Sequence, residues 1–229
     1  MAGSAVAAAG SVAAALRGTG ETMSAILTKE EQDRLAQLIA RVERSTAGEI
    51  VAVVLHKSAT YGSYRIAASA VLALLCVSAS HLIWPWVTPM ELLGAQALLA
   101  FLLYWLLGFP ALLRLITPRA AQRQAVGDRV KQLFIERGVI ETRDRSGVLI
   151  LLSALERRVE ILGDRGIHEH LGNNVWQAMV NQLTTAIGDG KAADGLAKII
   201  ERLGRELASK FPARPDDTDE LPNRIVTDD

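Results

Sequence analysis

The stretch IAASAVLALLCVSASHLIWPWV at residues 66–87 and the stretch LLGAQALLAFLLYWLLGFPALLRLI at residues 92–116 decide how this chain is organised. Each is about as long as the roughly 20 apolar residues that cross a bilayer as a helix. Only the residues TPME at 88–91 separate them, so the two helices are expected to form a tight antiparallel pair. The sequence therefore predicts a transmembrane α-hairpin over residues 64–116.

The hairpin interrupts the pattern of one α/β domain. A helix and an apolar strand precede it within residues 23–57, and the pattern resumes over residues 119–211. We expect the two parts to form a small three- or four-stranded sheet covered by helices, because the first strand cannot fold alone. Residues 1–22 are mostly small and uncharged and are expected to be disordered or to be an upstream extension of the true start, and residues 212–229 are expected to form an acidic tail or docking segment.

The helices of this domain are indicated by capping and periodicity. Thr28 and Glu31 have the spacing of a capping box, and apolar residues then recur at helical spacing from Leu35 to Val42. Further apolar faces follow in residues 119–137, 173–187 and 196–207. The sequence thus predicts helices on both sides of the hairpin.

The strands are indicated by short apolar runs. EIVAVVLH at residues 49–56 and VLILL at residues 148–152 are typical of strands buried on both faces. In residues 157–162, Arg158 and Glu160 alternate with apolar residues. This alternation predicts a strand with one polar face.

Basic residues near the apolar stretches predict their orientation. Lys57 and Arg65 precede the first stretch, Arg114, Arg119 and Arg123 follow the second, and the connecting turn has no Lys or Arg. By the positive-inside rule, both flanking parts lie in the cytoplasm and the turn lies outside. We therefore expect an integral protein of the bacterial inner membrane, with the lipid bilayer as its first partner.

Composition excludes some classes of function. The chain has 25 Lys and Arg residues against 25 Asp and Glu residues, so bulk charge gives no reason to expect nucleic-acid binding. Its single cysteine, Cys76, excludes an intramolecular disulfide.

A glycine-flanked turn at residues 163–167 is the first candidate site. Asp164 leaves the end of a strand there and could bind a divalent cation such as calcium, which requires several oxygen ligands. Glu49, Asp189 and Asp194 are the carboxylates that could complete such a site. The alternative is structural: the glycines permit the turn and the Asp164 carboxylate caps the backbone.

Four arginines around the second and third strands form the next candidate. Arg143, Arg145, Arg157 and Arg158 could bind an anion, a phosphoryl group or lipid headgroups. The alternative is a solvated or lipid-facing basic surface that needs no specific ligand.

Two polar residues lie inside the apolar stretches. His81 and Gln96 are equally distant from the centre of the turn, so they should lie at one depth and can hydrogen-bond. Such a pair is expected to hold the helices together, a contribution on the order of 1 kcal/mol.

Three stretches resemble the TPM domain, the family of thylakoid-lumen phosphatase-like and bacterial membrane-associated domains. They are LTKEEQDRLAQLIARVERSTAGEIVAVV at 27–54, RSGVLILLSALERRVEILGDRGIHEHL at 145–171 and IGDGKAADGLAKIIERLGREL at 187–207. The resemblance implies an α/β fold interrupted here by the hairpin. For some members it also implies acid-phosphatase activity and calcium binding.

The expected function is a membrane-anchored, non-catalytic binding or scaffolding module that senses a cation or an anion, with a membrane protein as partner. No residue pattern supplies a nucleophile beside a base. The first alternative is a metal-dependent, phosphatase-like hydrolase that uses Asp164 and one of the arginines. The second is an accessory subunit of a larger membrane complex.

Overall fold

The computed structural model describes residues 6–11, 27–214, 221 and 225–228. The chain divides into two compact units, which we call the α/β domain (Met1–Ser58 with Gln124–Asp229) and the hairpin unit (Ala59–Arg123). In the described residues the helices are α1 (Lys29–Glu43), α2 (Gly62–Ile83), α3 (Pro89–Leu106), α4 (Pro110–Ile116), α5 (Arg119–Glu136), α6 (Arg165–Gly188) and α7 (Ala192–Lys210). The strands are β1 (Val6–Ser11), β2 (Ile50–Leu55), β3 (Val148–Ser153), β4 (Arg158–Gly163) and β5 (Val226–Asp228).

The α/β domain contains one mixed sheet in the order β1-β4-β3-β2-β5. The central pair β2 and β3 is parallel, and β4 runs antiparallel to β3. The expected α/β class with a helix-covered sheet is confirmed. In the described part of the chain the sheet has five strands rather than three or four, because β1 and β5 extend its two edges.

Both edge strands come from segments expected to be irregular. The expectation that residues 1–22 are disordered is wrong for Val6–Ser11, which pair with β4; the rest of that segment lies outside the described residues. Within the acidic tail, β5 pairs with β2 and Leu221 packs against the core. The outer strands of a sheet carry free backbone N–H and C=O groups, and these accept a further strand from the same chain.

The core lies on both faces of the sheet, because successive side chains of a strand point to opposite faces. On one face Ile50, Ala52 and Val54 pack with apolar residues of α1, α6 and α7. On the other face Val51, Val53 and Leu55 pack with residues of α5. The long apolar strands β2 and β3 are therefore buried on both sides, as their sequences predict.

The capping box at the start of α1 is confirmed. The Glu31 amide donates to Thr28 Oγ1 at 3.2 Å, and the Thr28 amide donates to Glu31 Oε2 at 2.8 Å. Further along, α1 packs closely on α7, where a Cβ on Gly204 would overlap the side chain of Val42. The helix pair thus requires a residue without a side chain at position 204.

The hairpin unit differs from the predicted spans at two prolines. The first helix, predicted at 66–87, is α2 and ends at Ile83, because the residue before Pro85 is pushed out of the helical region. The second, predicted at 92–116, is broken before Pro110 into α3 and α4. Proline lacks the amide hydrogen that would continue a helix. By length and composition alone, α2 and α3 are each long and apolar enough to cross a membrane.

Candidate functional site

Asp164 is the N-cap of α6. Its Oδ1 accepts a hydrogen bond from the Arg165 amide at 2.6 Å, and its side chain is almost wholly buried. Its Oδ2 lies 3.9 Å from Arg145 Nη1. The structural alternative predicted for this turn is therefore the arrangement that the structure has. One carboxylate oxygen of Asp164 caps the helix, and the other faces the Arg145 guanidinium.

The predicted metal ligands lie in separate places. The Val148 amide donates to the carbonyl of Glu49, and the Asp164 amide donates to the carbonyl of Gly147, so β3 separates these two carboxylate residues. The backbones of Glu49 and Asp164 are therefore two strand spacings apart, or about 10 Å. A shared calcium ion needs oxygens within about 2.3–2.6 Å of the metal.

The other two proposed ligands are farther away. Asp164 precedes α6, whereas Asp189 follows it and Asp194 lies in the first turn of α7. Asp194 pairs with Arg34 at 3.9 Å on the surface. Within the described residues, no three His, Cys, Asp or Glu side chains are close enough to hold a metal ion. The four-carboxylate site is not assembled.

The four-arginine cluster is also divided. Arg143 and Arg145 precede β3, whereas Arg157 and Arg158 follow it, in the turn to β4 and at its start. A six-residue strand such as β3 is about 17–20 Å long. The four arginines therefore form two separate pairs, because β3 places the residues that precede it and those that follow it at opposite ends of the sheet.

The membrane pair is not formed as expected. Ser69 and Ala73 are the buried residues of α2, and Ser80 continues this face. His81 follows Ser80 by one residue, a rotation of about 100° on a helix, and it is exposed while Gln96 of α3 is half-buried. In the described part of the chain, no hydrogen bond joins His81 to Gln96.

An arginine clasp joins the ends of the hairpin, and the sequence reading missed it. Arg65 Nη2 donates to the Tyr104 carbonyl at 2.8 Å, and its guanidinium carbon lies 4.1 Å from the centre of the Tyr104 ring. A Cβ on Gly108 would lie 2.7 Å from Arg65 Nη2, so glycine makes room for the guanidinium. A cation above an aromatic face is stabilised by the ring quadrupole. The sequence feature that could have indicated this contact is Gly108, near the end of the second apolar stretch.

A second missed cluster lies at the carboxyl ends of β2 and β3. The Ser58 amide donates to Glu156 Oε1 at 3.1 Å, and the Ser153 hydroxyl also donates to the Glu156 carboxylate. The hydroxyls of Ser58 and Ser153 lie 2.8 Å apart. This network holds the segment after β2 against the β3–β4 turn, just before the hairpin begins in the sequence.

Neither cluster has the geometry of a nucleophilic active site. A nucleophilic site of this kind has a serine, threonine or cysteine hydrogen-bonded to a histidine base. In residues 27–214, which include all the histidines, no histidine makes such a bond. The Ser153–Glu156 pair is buried, and both Glu156 carboxylate oxygens accept hydrogen bonds from the Ser58 amide. The arrangement suits anchoring the backbone more than attacking a substrate.

Glu160 departs most from its prediction. The alternating pattern placed it on a polar face of β4, but only 3% of its surface is exposed. Helix α5 covers that face, and a Cβ on Gly127 would lie 3.7 Å from Glu160 Oε2. Burial raises the pKa of the Glu160 carboxyl to about 7, against the partial compensation of Arg158 and Lys131.

The comparisons with known proteins concern this fold. Residues 112–206 match the family model described as the TPM domain. This part of the chain therefore resembles a TPM domain. In structure it is similar to the BA42 protein from the psychrophilic bacterium Bizionia argentinensis, solved by NMR, with a TM-score of 0.57 and 22% sequence identity. The alignment covers 90% of this chain and 99% of that chain. At this identity the likeness concerns the fold alone, and none of the curated proteins matches the chain.

The match to the TPM domain includes α5, β3, β4, α6 and most of α7 but begins after α3. Helix α1 and strand β2 lie before the hairpin, yet β2 is the parallel neighbour of β3 in the sheet. The segment before the hairpin therefore belongs to the same sheet, and the resemblance predicted from the sequence is confirmed over residues 112–206.

The role of Asp164 as a helix cap can be tested by substitution. Asp164→Ala is expected to lower the free energy of unfolding by about 1 kcal/mol, because the Arg165 amide loses its acceptor. Asp164→Asn should cost less, since asparagine is also a good N-cap. Urea denaturation of the purified chain in detergent measures both. Equal losses for the two variants would contradict capping and point to a need for the charge itself.

Proposed function

We propose that this chain is a membrane-anchored TPM domain that acts as a non-catalytic binding or scaffolding module. The hairpin unit inserts in the inner membrane of a bacterium, and the α/β domain remains in the cytoplasm. A second membrane protein is the partner that the domain holds or recruits. The observation that carries the proposal is the exposed apolar surface of α2 and α3.

That surface is unlike the surface of a core helix. None of the residues of α3 is buried, and those buried in α2 are the small Ser69 and Ala73. Large apolar side chains point outward instead, with Leu82 85% exposed and Phe101 60% exposed. Contiguous apolar patches of this kind mark contact with a membrane or another protein.

The aromatic residues support a bilayer as the first contact. Trp84 and Trp86 lie beside the connection between α2 and α3, and Tyr64 and Tyr104 lie near the opposite ends of these helices. The 22 residues of α2 span about 33 Å, close to the thickness of a bilayer core. Tryptophan and tyrosine favour the two membrane interfaces, so this spacing matches an inserted hairpin.

We do not extend the proposal to hydrolysis or to cation sensing. Asp164 caps a helix, its proposed partner ligands lie elsewhere, and the arginines form two separate pairs. The accessory-subunit alternative differs only in what covers the apolar faces, and it shares the anchored topology.

Cysteine labelling tests the topology. In a Cys76→Ser background, Met90→Cys places a thiol at the start of α3, and Ser209→Cys places one near the end of α7; both positions are exposed. A membrane-impermeant maleimide added to intact bacterial spheroplasts should label the first variant at once and the second only after lysis. Labelling of both without lysis would contradict insertion with the domain inside, and so would the reverse pattern.

A further inference from the structure

Glu160 lies beneath helix α5 with no side chain between them. Its strand neighbours Val159 and Ile161 pack on the opposite face of the sheet, so Glu160 points towards α5. A Cβ built on Gly127 would lie 3.7 and 3.8 Å from the two carboxylate oxygens. The absence of a side chain at position 127 lets the carboxylate fit directly against the helix.

One oxygen of the buried carboxylate is left without a hydrogen bond. In the described part of the chain, Glu160 Oε2 has no hydrogen-bond partner. The charged groups that face it are Arg158 on its own strand and Asp128 and Lys131 on α5. Lys131 is exposed and lies 3.9 Å from Asp128, and β3 presents the apolar Leu151 opposite Glu160.

An ionised carboxylate in such surroundings is costly and takes up a proton instead. We propose that Glu160 is a proton-operated latch: its neutral carboxyl lets α5 pack on the sheet, and its ionised form is accommodated when α5 moves away and admits water. The apolar side chains freed by that movement, Val126, Val130 and Leu133, would give the domain a binding face.

The direction of the pH effect follows from the same burial. Desolvation raises the pKa of Glu160 from 4.5 to about 7 in the packed state. The packed state therefore holds a proton that the opened state has released between these two values. The contribution of this proton to the stability of the packed state is complete below about pH 4.5. It falls as the pH rises and is lost above about pH 7. The equilibrium of α5 therefore responds most to pH between about 4.5 and 7.

The latch acts at a position that suits regulation. Helix α5 begins at Arg119, directly after the hairpin in the chain, and its later residues cover one face of the sheet. Loosening α5 changes the first element of the α/β domain after the membrane segment. This inference goes beyond the proposed anchoring and does not depend on the orientation of the hairpin.

Hydrogen exchange of the full chain in detergent micelles tests the latch. Exchange is measured at about pH 6 and about pH 8.5 and expressed as protection factors, so that the chemical rate cancels. Peptides from α5 should lose about tenfold protection at the higher pH if the group titrates near 7 when packed and near 4.5 when open. Peptides from α7, on the other face of the sheet, should change less than twofold.

Variants separate Glu160 from other titrating groups. Glu160→Gln should make the protection of α5 independent of pH, and Glu201→Gln, at an exposed position of α7, should leave the effect of pH intact. If the protection of α5 in the unsubstituted chain does not change with pH, the proposal is wrong, whatever results the variants give. A loss that persists in Glu160→Gln, or one that is equal in α5 and α7, would also overturn it.

Discussion

A chain in which residues 60–118 are replaced by a flexible Gly/Ser linker is expected to stay in solution without detergent and to unfold in one cooperative transition. The α/β domain has its own cores on both faces of its sheet. The exposed apolar residues lie mostly in the hairpin unit. Removing that unit therefore removes the surface that needs a membrane and leaves the packed domain intact.

The boundaries of the replacement follow from local contacts. Ser58 is retained because Glu156 and Ser153 hold its amide and its hydroxyl, and position 119 is retained because α5 begins there. Linkers of about 4 to 16 residues can be compared, because each doubling of a flexible loop costs only about 0.6 kcal/mol. Ultracentrifugation and thermal circular dichroism then measure solubility and cooperativity.

A matched control starts the replacement at residue 53, which removes half of β2. That strand lies between β3 and β5, so its loss should abolish the cooperative transition while the apolar helices are equally absent. If the chain with the longer deletion is as stable as the chain with the shorter one, β2 does not belong to the domain and the split-domain organisation is wrong. Aggregation of both chains would also contradict that organisation.

Local signals in the sequence are enough to predict α1 and the central strands of this fold. Thr28 and Glu31 fix the start of α1, and the apolar run at Val148–Ser153 marks a strand buried on both faces. Pro85 and Pro110 also carried local information, because Pro85 follows the end of α2 and Pro110 begins α4. The mean apolarity of residues 66–87 and 92–116 misplaced those two boundaries, because a single proline lowers that mean very little.

The features that sequence could not predict depend on contacts between distant segments. Glu160 alternates with apolar residues as a surface residue would, and it becomes buried only because α5 crosses that face of β4. The arginines before and after β3 are close in sequence but lie at opposite ends of the strand. The partners of Ser58 are nearly a hundred residues away. The hydrophobic period and the spacing of residues describe one helix or strand at a time. They do not show which helix covers which strand.

Trp176→Ala is expected to lower the free energy of unfolding by about 3–5 kcal/mol, the range for removal of a large buried aromatic side chain. Trp176 is 1% exposed and is the largest of the fully buried side chains. Its ring fills the space beside Gly163, where a Cβ would lie 2.8 Å from it, and it stacks on His168 with ring centres 6.5 Å apart. It thus joins α6 to the end of β4, and replacement by alanine leaves a cavity between them.

Two further substitutions show whether packing is the cause of that loss. Trp176→Phe should cost less, because it keeps much of the ring and removes an indole N–H that has no hydrogen-bond partner in the described residues. Ile135→Ala, at a position 65% exposed on α5, should stay within about 0.5 kcal/mol. Urea midpoints with an unchanged slope would assign the differences to stability. A loss below about 1 kcal/mol for Trp176→Ala would mean that α6 does not pack on β4 through this ring, because a cavity of that size in a rigid core cannot be so cheap.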